Sequence, residues 1–548
     1  EAGREARDLE SALHARAKPD PNSRILGVPL PLLIYQTFDK DNDGHGIGHW
    51  IKTRLGEPPV LYDPKEDRRS ALRMEALLKD EGFLQGKVES DTLVKNKKVR
   101  TVYRIKSGPR YRLRQYHPPT DSLPLLRHLG TAPPMKSGAP LRLNELARER
   151  VKMAQQARQA GFYLVQPSHF FYYLDSLPTK QQADLYLRLS PAQDSAQYER
   201  FYIGRTTVYP NYRMDVPSTG DTLKLRDLYL LDYDTFVKPA VLQRLIRQDS
   251  GDLYLPRQEE RSLKHLTNLG VYKFVNLKYQ RREAGGRHFL DRQIYLTPEL
   301  PQFFSAELEV TNIPGFLGPE LQLSYTHRNL FRGAERLRLN LQGGILGELS
   351  KSGRFLRASQ IEGEIGLEIP RFISPFPHWE PNSVSPPTTL FELNGKYLFD
   401  FENFTLTSVQ FQAGYRWQPN RFQQHEFSPL HITRQALLNS SETFENRLQQ
   451  NARLRASVEN LFILGMRYRY LYAEPEQFSK NSRFFLLGTA EESSILTSVV
   501  TNEQLLGQRL ARYLRLEVDG RHYMRLGKTE LVTRLNIGAG FALGDDQV

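Results

Sequence analysis

Cysteine is absent from the 548 residues of this chain, and so is any long hydrophobic run. Without cysteine there are no disulfides, thiolate metal sites or cysteine nucleophiles in these residues. The lack of cysteine does not fix the cellular compartment. The most apolar segment, residues 25–35, is short and is interrupted by Pro29 and Pro31. A transmembrane helix needs about 20 consecutive apolar residues, so the sequence predicts none. Nor does a signal peptide begin at Glu1.

Charge and aromatic content narrow the class of partner. The formal net charge is +13, but Lys and Arg are interleaved with Asp and Glu, and no basic-aromatic motif for reading RNA is present. A basic surface that faces anionic lipid or acidic client proteins is therefore at least as good an interpretation as nucleic-acid binding. The 29 Phe and 27 Tyr residues suit β-sheets and the aromatic girdles of membrane barrels, whose average composition is polar.

Residues 39–50, DKDNDGHGIGHW, contain the opening D-x-D-x-D-G of a calcium-binding loop. The twelfth position of such a loop needs a bidentate carboxylate, and Trp50 occupies it. His45 and His49 have the spacing of zinc ligands on a helix, but the glycines around them, each costing about 1 kcal/mol, disfavour a helix there. The preceding run, residues 30–38, follows prolines and is not expected to be helical either. We predict a solvated connector and no metal site.

Three segments in the first half of the chain each place a helix, a glycine and an apolar residue before predicted strands. The glycines are Gly82, Gly161 and Gly270, each where a helix end takes a left-handed residue. Strand pairs are predicted over KVESDTLV and KVRTVYRI after Gly82, and over KFVNLKYQ and RHFLDRQIYL after Gly270. Residues 183–190 alternate apolar and polar, as in a half-buried strand. Arrays of small α+β domains usually bind extended partners, for which a free sheet edge is suited.

From about residue 303 the helical patterns give way to alternating segments. FFSAELEVTN and IEGEIGLEI each have an apolar face and a polar, mostly acidic face, and residues 336–341, 514–519 and 534–541 alternate in the same way. About 11 such segments fit before the last residue, separated by turn-rich or charged loops. An apolar outer band around an interior of Glu, Arg and Asn is typical of an outer-membrane barrel. A β-sandwich array or a soluble β-solenoid is the alternative.

In this order the segments resemble the BamA/TamA superfamily of outer-membrane assembly proteins, in which periplasmic POTRA domains precede a barrel of about sixteen strands. The glycine-terminated helices match the POTRA helix-to-strand junction, and RNLFRGAERLRL, residues 328–339, is similar to the early-barrel signature. The segments ILGVPLPLLIYQTF and LGEPPVLYD are similar to the Bacteroidetes-type TamL relatives, whose mature form is a lipoprotein. The resemblance covers nearly the whole chain.

The resemblance implies α+β POTRA repeats followed by an antiparallel transmembrane β-barrel. It assigns residues 1–108, 109–192 and 198–299 to three POTRA-like domains, the first without its first strand, and residues 303–548 to an incomplete barrel. The acylated cysteine of the TamL type, the Arg-Gly loop inside the barrel and the last strands are not among these residues. We therefore expect an internal fragment of a longer protein.

The implied function is non-enzymatic assembly of other proteins into the bacterial outer membrane, with the POTRA domains in the periplasm. No P-loop and no G-x-S-x-G nucleophile elbow is present, and we expect no catalytic residue, metal or cofactor. The implied partners are outer-membrane lipids, unfolded β-barrel or exported client proteins and an inner-membrane TamB-like protein, but no nucleic acid. Clients are expected to dock on POTRA sheet edges and then to pair with an open barrel seam.

The first barrel strand is the predicted gate segment for client contact, and its backbone donors and acceptors are the expected working groups. The alternative is an ordinary barrel strand whose edges stay paired. Two other functions also remain open: a polypeptide-translocating pore, as in two-partner secretion, and the membrane part of a patatin-like lipase fusion. The predicted gate residues are Phe304, Ser305, Ala306, Glu307, Leu308, Glu309 and Val310.

Overall fold

The computed structural model describes most of the chain. The described residues are 2–24, 27–38, 47–96, 98–119, 124–129, 133–215, 220–231, 236–313, 316–348, 356–374, 381–475, 481–494, 504–505, 508–527 and 529–543. The chain forms two compact units, residues 1–200 and 201–548, and each is described by itself. The finer division into three POTRA-like domains and a barrel stays a prediction.

The first unit contains five helices and five strands within its described residues. The helices are α1 (Ala2–His14), α2 (Leu30–Phe38), α3 (Ile47–Leu55), α4 (Pro64–Asp80) and α5 (Leu143–Gln159), with short 3-10 helices at Pro124–His128, Pro167–His169 and Pro178–Lys180. The strands are β1 (Lys87–Lys95), β2 (Lys98–Lys106), β3 (Arg112–His117), β4 (Phe170–Leu177) and β5 (Gln182–Leu189).

The predicted glycine helix ends are confirmed. Gly82 follows α4 with a φ of 95°, and the N–H of Phe83 donates to the Leu78 carbonyl at 2.9 Å, the bond that closes a left-handed helix end. Gly161 follows α5 with a φ of 96°. At its other end α4 starts where Pro64 fills the first turn and the Asp63 carboxylate accepts the Lys65 N–H.

Two small sheets lie in the first unit. Strands β1 and β2 form the predicted antiparallel hairpin, although Lys97 of its turn lies outside the described residues. Strands β3, β5 and β4 form a second sheet in that order, with β3 parallel to β5 and β4 antiparallel to it. Met153 and Ala157 of α5 are buried with Phe170 and Leu187 of this sheet, so apolar burial joins helix and sheet.

The prediction for residues 30–50 is partly wrong. Residues 30–38 form α2, because Pro31 lies in the first turn, where a helix tolerates proline. Residues 47–50 of the supposed connector begin α3, while residues 39–46 lie outside the described residues. No group of three or more potential metal ligands was found among the described residues. In those residues no helix is both long and apolar enough to cross a membrane.

The second unit begins with an α/β module, called here the third module. Its elements are β6 (Phe201–Tyr209), β7 (Thr222–Leu225), β8 (Leu228–Leu231), α6 (Pro239–Leu245), α7 (Pro256–Asn268), β9 (Tyr272–Ala284) and β10 (Arg287–Pro298). The strand order is β7-β8-β6-β10-β9, and α6 and α7 bury Leu242 and Leu266 against Val208 and Ile294 of the sheet. Gly270 follows α7 with a φ of 69°, as predicted.

A buried arginine ties the third module together. Arg292 of β10 is fully buried, and its Nε donates to the Thr206 hydroxyl at 3.0 Å. Its two terminal nitrogens donate to the Glu259 carboxylate at 3.3 Å and to the Gln248 carbonyl at 2.7 Å. Strands β6 and β10, helix α7 and the loop after α6 therefore converge on one guanidinium, whose planar fork allows several simultaneous bonds.

A large antiparallel sheet follows the third module. Its strands are β11 (Gln302–Ile313), β12 (Phe316–His327), β13 (Arg336–Glu348), β14 (Leu356–Ile369), β15 (Thr388–Asp400), β16 (Phe404–Asn420), β17 (Gln423–Ser440), β18 (Leu461–Ala473), β19 (Ser482–Ser493), β22 (Tyr513–Leu526) and β23 (Thr529–Ala542). Helices α8 (Glu442–Gln450) and α9 (Ala452–Val458) join β17 to β18, and the short pair β20 (Gln504–Leu505) and β21 (Gln508–Arg509) lies between β19 and β22.

The large sheet runs through its eleven described strands in chain order, from β11 at one edge to β23 at the other. Strand register separates an apolar face from a polar one. One row across six strands is Ala306, Leu323, Leu341, Gly363, Gly395 and Val409. The neighbouring row is Glu307, Gln322, Gln342, Glu362, Lys396 and Ser408. The predicted fold class, α+β repeats before a barrel-type antiparallel sheet, is confirmed, and the sheet is open in the described residues.

Replacing Arg292 with Met is expected to unfold the third module selectively. The change leaves the Glu259 carboxylate buried without its partner, and breaking a buried ion pair typically costs about 3–5 kcal/mol. Hydrogen exchange of the full chain should show that, relative to the wild type, the change speeds exchange in α7 and β10 more than in the large sheet. Arg257→Met, on the exposed surface of α7, is the control. Equal exchange in Arg292→Met and the wild type would contradict the assigned role.

Candidate functional site

The candidate site is β11, the first edge strand of the large sheet. All seven predicted gate residues lie within it, and it pairs along one side with β12, from Gln302 opposite His327 to Ile313 opposite Phe316. In the described residues no strand pairs with its other side. A strand with one unpaired side presents backbone N–H and C=O groups to any added strand. The role of the gate residues in client contact remains a prediction.

The apolar side chains of β11 lie on the apolar face of the sheet. Phe304, Leu308 and Val310 are 64%, 75% and 71% exposed. They are opposite Tyr325, Leu321 and Pro319 of β12, in register with the apolar row of the sheet. Such exposure is unfavourable in water, so this face is suited to contact with an apolar medium.

The polar face of β11 is acidic. Glu307 lies opposite Gln322, whereas Glu309 lies directly opposite another carboxylate, Glu320. Gln342 and Gln360 donate to the Glu320 carboxylate, the latter at 3.1 Å. Like charges that face each other across strands weaken the pairing, so the β11–β12 ladder carries a local destabilising contact beside the free edge.

Ion pairs continue across the polar face. The Arg338 guanidinium lies 3.1 Å from the Glu368 carboxylate, and Arg467 lies 2.9 Å from Glu491. Between them in strand order, Arg416 and Glu426 are 3.0 Å apart. Sequence alternation predicts which residues are polar, but it does not predict these pairs, because partners come from different strands whose register the sequence leaves open.

The early-barrel segment, residues 328–339, joins the sheet to the third module. Asn329 is buried, its side-chain amide donates to the Phe236 carbonyl, and its carbonyl oxygen accepts the Ala334 N–H at 2.9 Å. The Lys238 N–H donates to the Arg332 carbonyl at 2.7 Å. Ala334 is only 3% exposed because it is part of the apolar core of the module. This segment therefore inserts into the module.

Two further contacts hold the module to the loops between β14 and β15. Arg244 of α6 donates to the Pro370 carbonyl at 2.8 Å, and the Asn268 amide donates to the Ser385 hydroxyl at 2.9 Å. His265 of α7 is buried beside Val384. Burial lowers the pKa of His265 to about 4, and the nearby Arg247 cation adds to the shift.

Comparisons with known proteins find only distant similarity among solved structures. No protein-family profile matches the chain, and no curated protein does. The structure of BamA from Haemophilus ducreyi lacking POTRA domains 1–3 is 12% identical in sequence. The alignment covers 80% of this chain and 72% of the BamA chain, with a TM-score of 0.43. CdiB from Acinetobacter baumannii is 10% identical in sequence. The alignment covers 88% of this chain and 78% of the CdiB chain, with a TM-score of 0.38.

A periplasmic structure is also similar. POTRA1-3 of Omp85 from Anabaena is 11% identical and covers 45% of this chain and 85% of its own, with a TM-score of 0.18. With TM-scores below 0.5, these likenesses carry no functional inference. The fold therefore rests on the strand order and register described above.

Replacing Glu309 with Lys is expected to strengthen the pairing of β11. The change converts a like-charge pair with Glu320 into an opposite-charge pair, a gain of about 0.2–1 kcal/mol for a cross-strand contact. Hydrogen exchange of β11 amides should become slower. Glu307→Lys is the matched control, because Glu307 faces the neutral Gln322. Slower exchange in the control alone, or in neither variant, would contradict the role assigned to the Glu309–Glu320 contact.

The third module is expected to lose stability in mild acid. The pKa of His265 in the folded chain, about 4, lies below the usual value of about 6.5, so unfolding takes up a proton between these values. The stabilising contribution of the neutral ring is complete above about pH 6.5 and is lost as the pH falls towards 4. Thermal unfolding at several pH values should show this slope.

His265→Gln should flatten that slope, because it removes the titrating ring. His14→Gln, at an exposed position of α1, is the control and should keep the wild-type slope. An unchanged slope in His265→Gln would show that other groups cause the acid sensitivity.

Proposed function

We propose that this chain is part of a factor that assembles β-barrel proteins in the outer membrane of a bacterium. The observation that carries the proposal is an antiparallel sheet of eleven described strands with one apolar and one polar face, of which β11 is the first edge strand. The sheet spans the membrane, and the α/β modules lie in the periplasm. The function needs no catalytic residue, metal or cofactor.

The two faces of the sheet support a membrane location. Exposed apolar side chains recur along strands far apart in sequence, among them Ile361 at 55%, Val409 at 51% and Ile537 at 59%. The opposite face carries paired charges such as Arg467 and Glu491. This alternation is the arrangement of a transmembrane barrel, whose outer band contacts lipid while its inner face stays polar.

The working groups of the proposed site are backbone N–H and C=O groups of β11. A client strand adds to the unpaired side of β11 by antiparallel or parallel hydrogen bonding, which gives affinity without requiring a specific client sequence. The Glu309–Glu320 contact weakens the neighbouring ladder and thereby helps β11 to exchange partners. The exposed apolar side chains of β11 then face lipid together with those of the client.

Finer assignments belong to the same proposal. The segments at residues 25–38 and 55–63 support a TamL-type parent, for which an inner-membrane TamB-like protein is the corresponding partner. A translocating pore is the second candidate, and the ion-paired polar face favours it, because a hydrated inner wall suits an exported polypeptide.

Single-cysteine crosslinking tests the proposal directly. The chain has no cysteine, so Ser305→Cys introduces one reactive thiol on β11. The protein is reconstituted in lipid vesicles with an unfolded barrel client that carries one cysteine in its last strand, and a short bifunctional reagent is added. We expect a client crosslink with Ser305→Cys, together with faster appearance of the folded client.

Thr433→Cys is the matched control for this crosslink. Thr433 lies on β17, which is paired on both sides, opposite Gln410 and Ile463. It should give no crosslink if clients add at the edge. Crosslinks at Thr433 but not at Ser305 with an exported polypeptide arrested in transit would instead support the pore. Absence of both, with normal client folding, would refute the site at β11.

A further inference from the structure

The sheet of the third module has a second face that its helices do not cover. Leu290, Ile294 and Leu296 of β10 are buried, and the last two belong to the core beside α6 and α7. The alternate residues of the same strand, including Phe289 and Tyr295, are half-buried on the other face. We call this other side, contributed by β6, β8, β9 and β10 with Lys224 of β7, the aromatic face.

Tyrosine and phenylalanine rings cluster at two places on the aromatic face. Tyr209 and Tyr295 stack with ring centroids 4.7 Å apart and planes 6° from parallel, and Tyr212 meets Tyr295 edge-on at 4.8 Å. At the other end of β6, Tyr202 and Phe289 have centroids 6.2 Å apart. Tyr202 and Tyr209 are seven positions apart on β6, a distance of about 23 Å along an extended strand.

Cations lie over these rings. Arg287 is 5.5 Å from the Tyr202 centroid, Lys278 is 5.3 Å from Tyr295, and Arg205 is 3.9 Å from the ring of Tyr229. Two more cations complete the set, Arg282 over Phe289 and Lys224 over Tyr229. In the described part of the chain, Arg282 alone among these five forms an ion pair. The face therefore carries positive charge that a partner can neutralise.

One carboxylate joins the strands of the face and holds one of the cations. Asp291 of β10 accepts the backbone N–H of Arg205 at 2.7 Å and the Nε–H of Arg282 at 2.9 Å, which links β6, β9 and β10. Gly204 makes room for it, because a Cβ there would lie 1.9 Å from the Asp291 carboxylate oxygen. Asp291 and Arg282 are thereby fixed relative to the strands of the sheet.

We infer that the aromatic face captures extended, acidic and apolar client segments before they reach β11. Charge complementarity requires a partner with carboxylates, and the rings require apolar or aromatic side chains between them. An unfolded barrel strand has this pattern. Strand β14 of this chain shows it, with Ile361 and Ile365 alternating with Glu362 and Glu364.

The dimensions fit such a segment. The two ring clusters lie about 23 Å apart along β6, a distance that an extended segment of about seven to ten residues spans. An anionic membrane surface is the other candidate partner. It is less favoured because membrane-binding surfaces insert protruding apolar side chains, whereas the rings of this face are half-buried, and those of Tyr202, Phe289 and Tyr295 lie beneath cations.

A peptide copy of β14 tests the inference. The probe is residues 356–369 as a fluorescein-labelled peptide, and its fluorescence anisotropy is measured with the full chain in detergent micelles. Lys278→Gln combined with Arg287→Gln should weaken binding about tenfold, through two lost exposed charge contacts. Raising the salt concentration should weaken wild-type binding more than variant binding. A peptide with glutamine in place of its glutamates should bind the wild type weakly.

The matched control is Arg257→Gln combined with Arg261→Gln, which removes the same charge from exposed positions of α7. It should bind the probe as the wild type does. Equal weakening in the control, or unchanged binding in Lys278→Gln/Arg287→Gln, would overturn the inference. Phosphatidylglycerol vesicles that displace the probe, and whose own binding requires Lys278 and Arg287, would also overturn it in favour of a lipid surface.

This inference rests on the proposed assembly function, but the two fail separately. If Lys278→Gln/Arg287→Gln binds the peptide as the wild type does, while the Ser305→Cys crosslink still forms, the aromatic face has no part in the mechanism. Client pairing with β11 would then still be supported. Probe binding that depends on Lys278 and Arg287, without any client crosslink at β11, would leave the third module as a binding domain for acidic segments.

Discussion

Backbone hydrogen bonding between neighbouring strands is the constraint on which the rest of this structure depends. A strand inside the large sheet has both sides paired, whereas β11 has partners along one side in the described residues. In an apolar medium an unpaired N–H or C=O group costs several kcal/mol, roughly the scale of a whole buried hydrogen bond. An edge of this kind is therefore paired with a further strand, and in the proposed function a client strand pairs with it.

The same pairing gives the sheet its two faces. The register places apolar residues and glycines beside one another in the row from Ala306 to Val409, and polar residues beside one another in the row from Glu307 to Ser408. A slip of one residue would move every apolar side chain to the polar face. Ion pairs such as Arg416–Glu426 then join adjacent strands on the polar side.

The third module is joined to this sheet within the second unit. Its core accepts Ala334 from the loop between β12 and β13, and Asn329 bonds to both sides of that junction. The aromatic face and the edge strand β11 thereby belong to one compact unit. In the proposed mechanism, charge and aromatic contacts govern the capture of an acidic segment, and backbone hydrogen bonds govern its pairing with β11.

Local features could be predicted from the sequence alone: the helix ends at Gly82, Gly161 and Gly270, the hairpin of β9 and β10, and the alternating strands from Phe304 onward. Each depends on residues close together in the chain, where glycine conformation and side-chain periodicity act directly. The sequence predicts no helix over residues 30–38 because of its prolines, but Pro31 lies in the first turn of α2, where a helix tolerates proline.

Contacts between distant segments depend on the tertiary structure. The Glu309–Glu320 contact depends on the register of β11 with β12, and the aromatic face combines Tyr202 of β6 with Arg287 of β10, which no local pattern links. For the same reason the sequence shows no basic-aromatic motif, although the folded sheet presents one. Strand order and register bring those residues together, and both follow from burial and hydrogen bonding summed over the whole sheet.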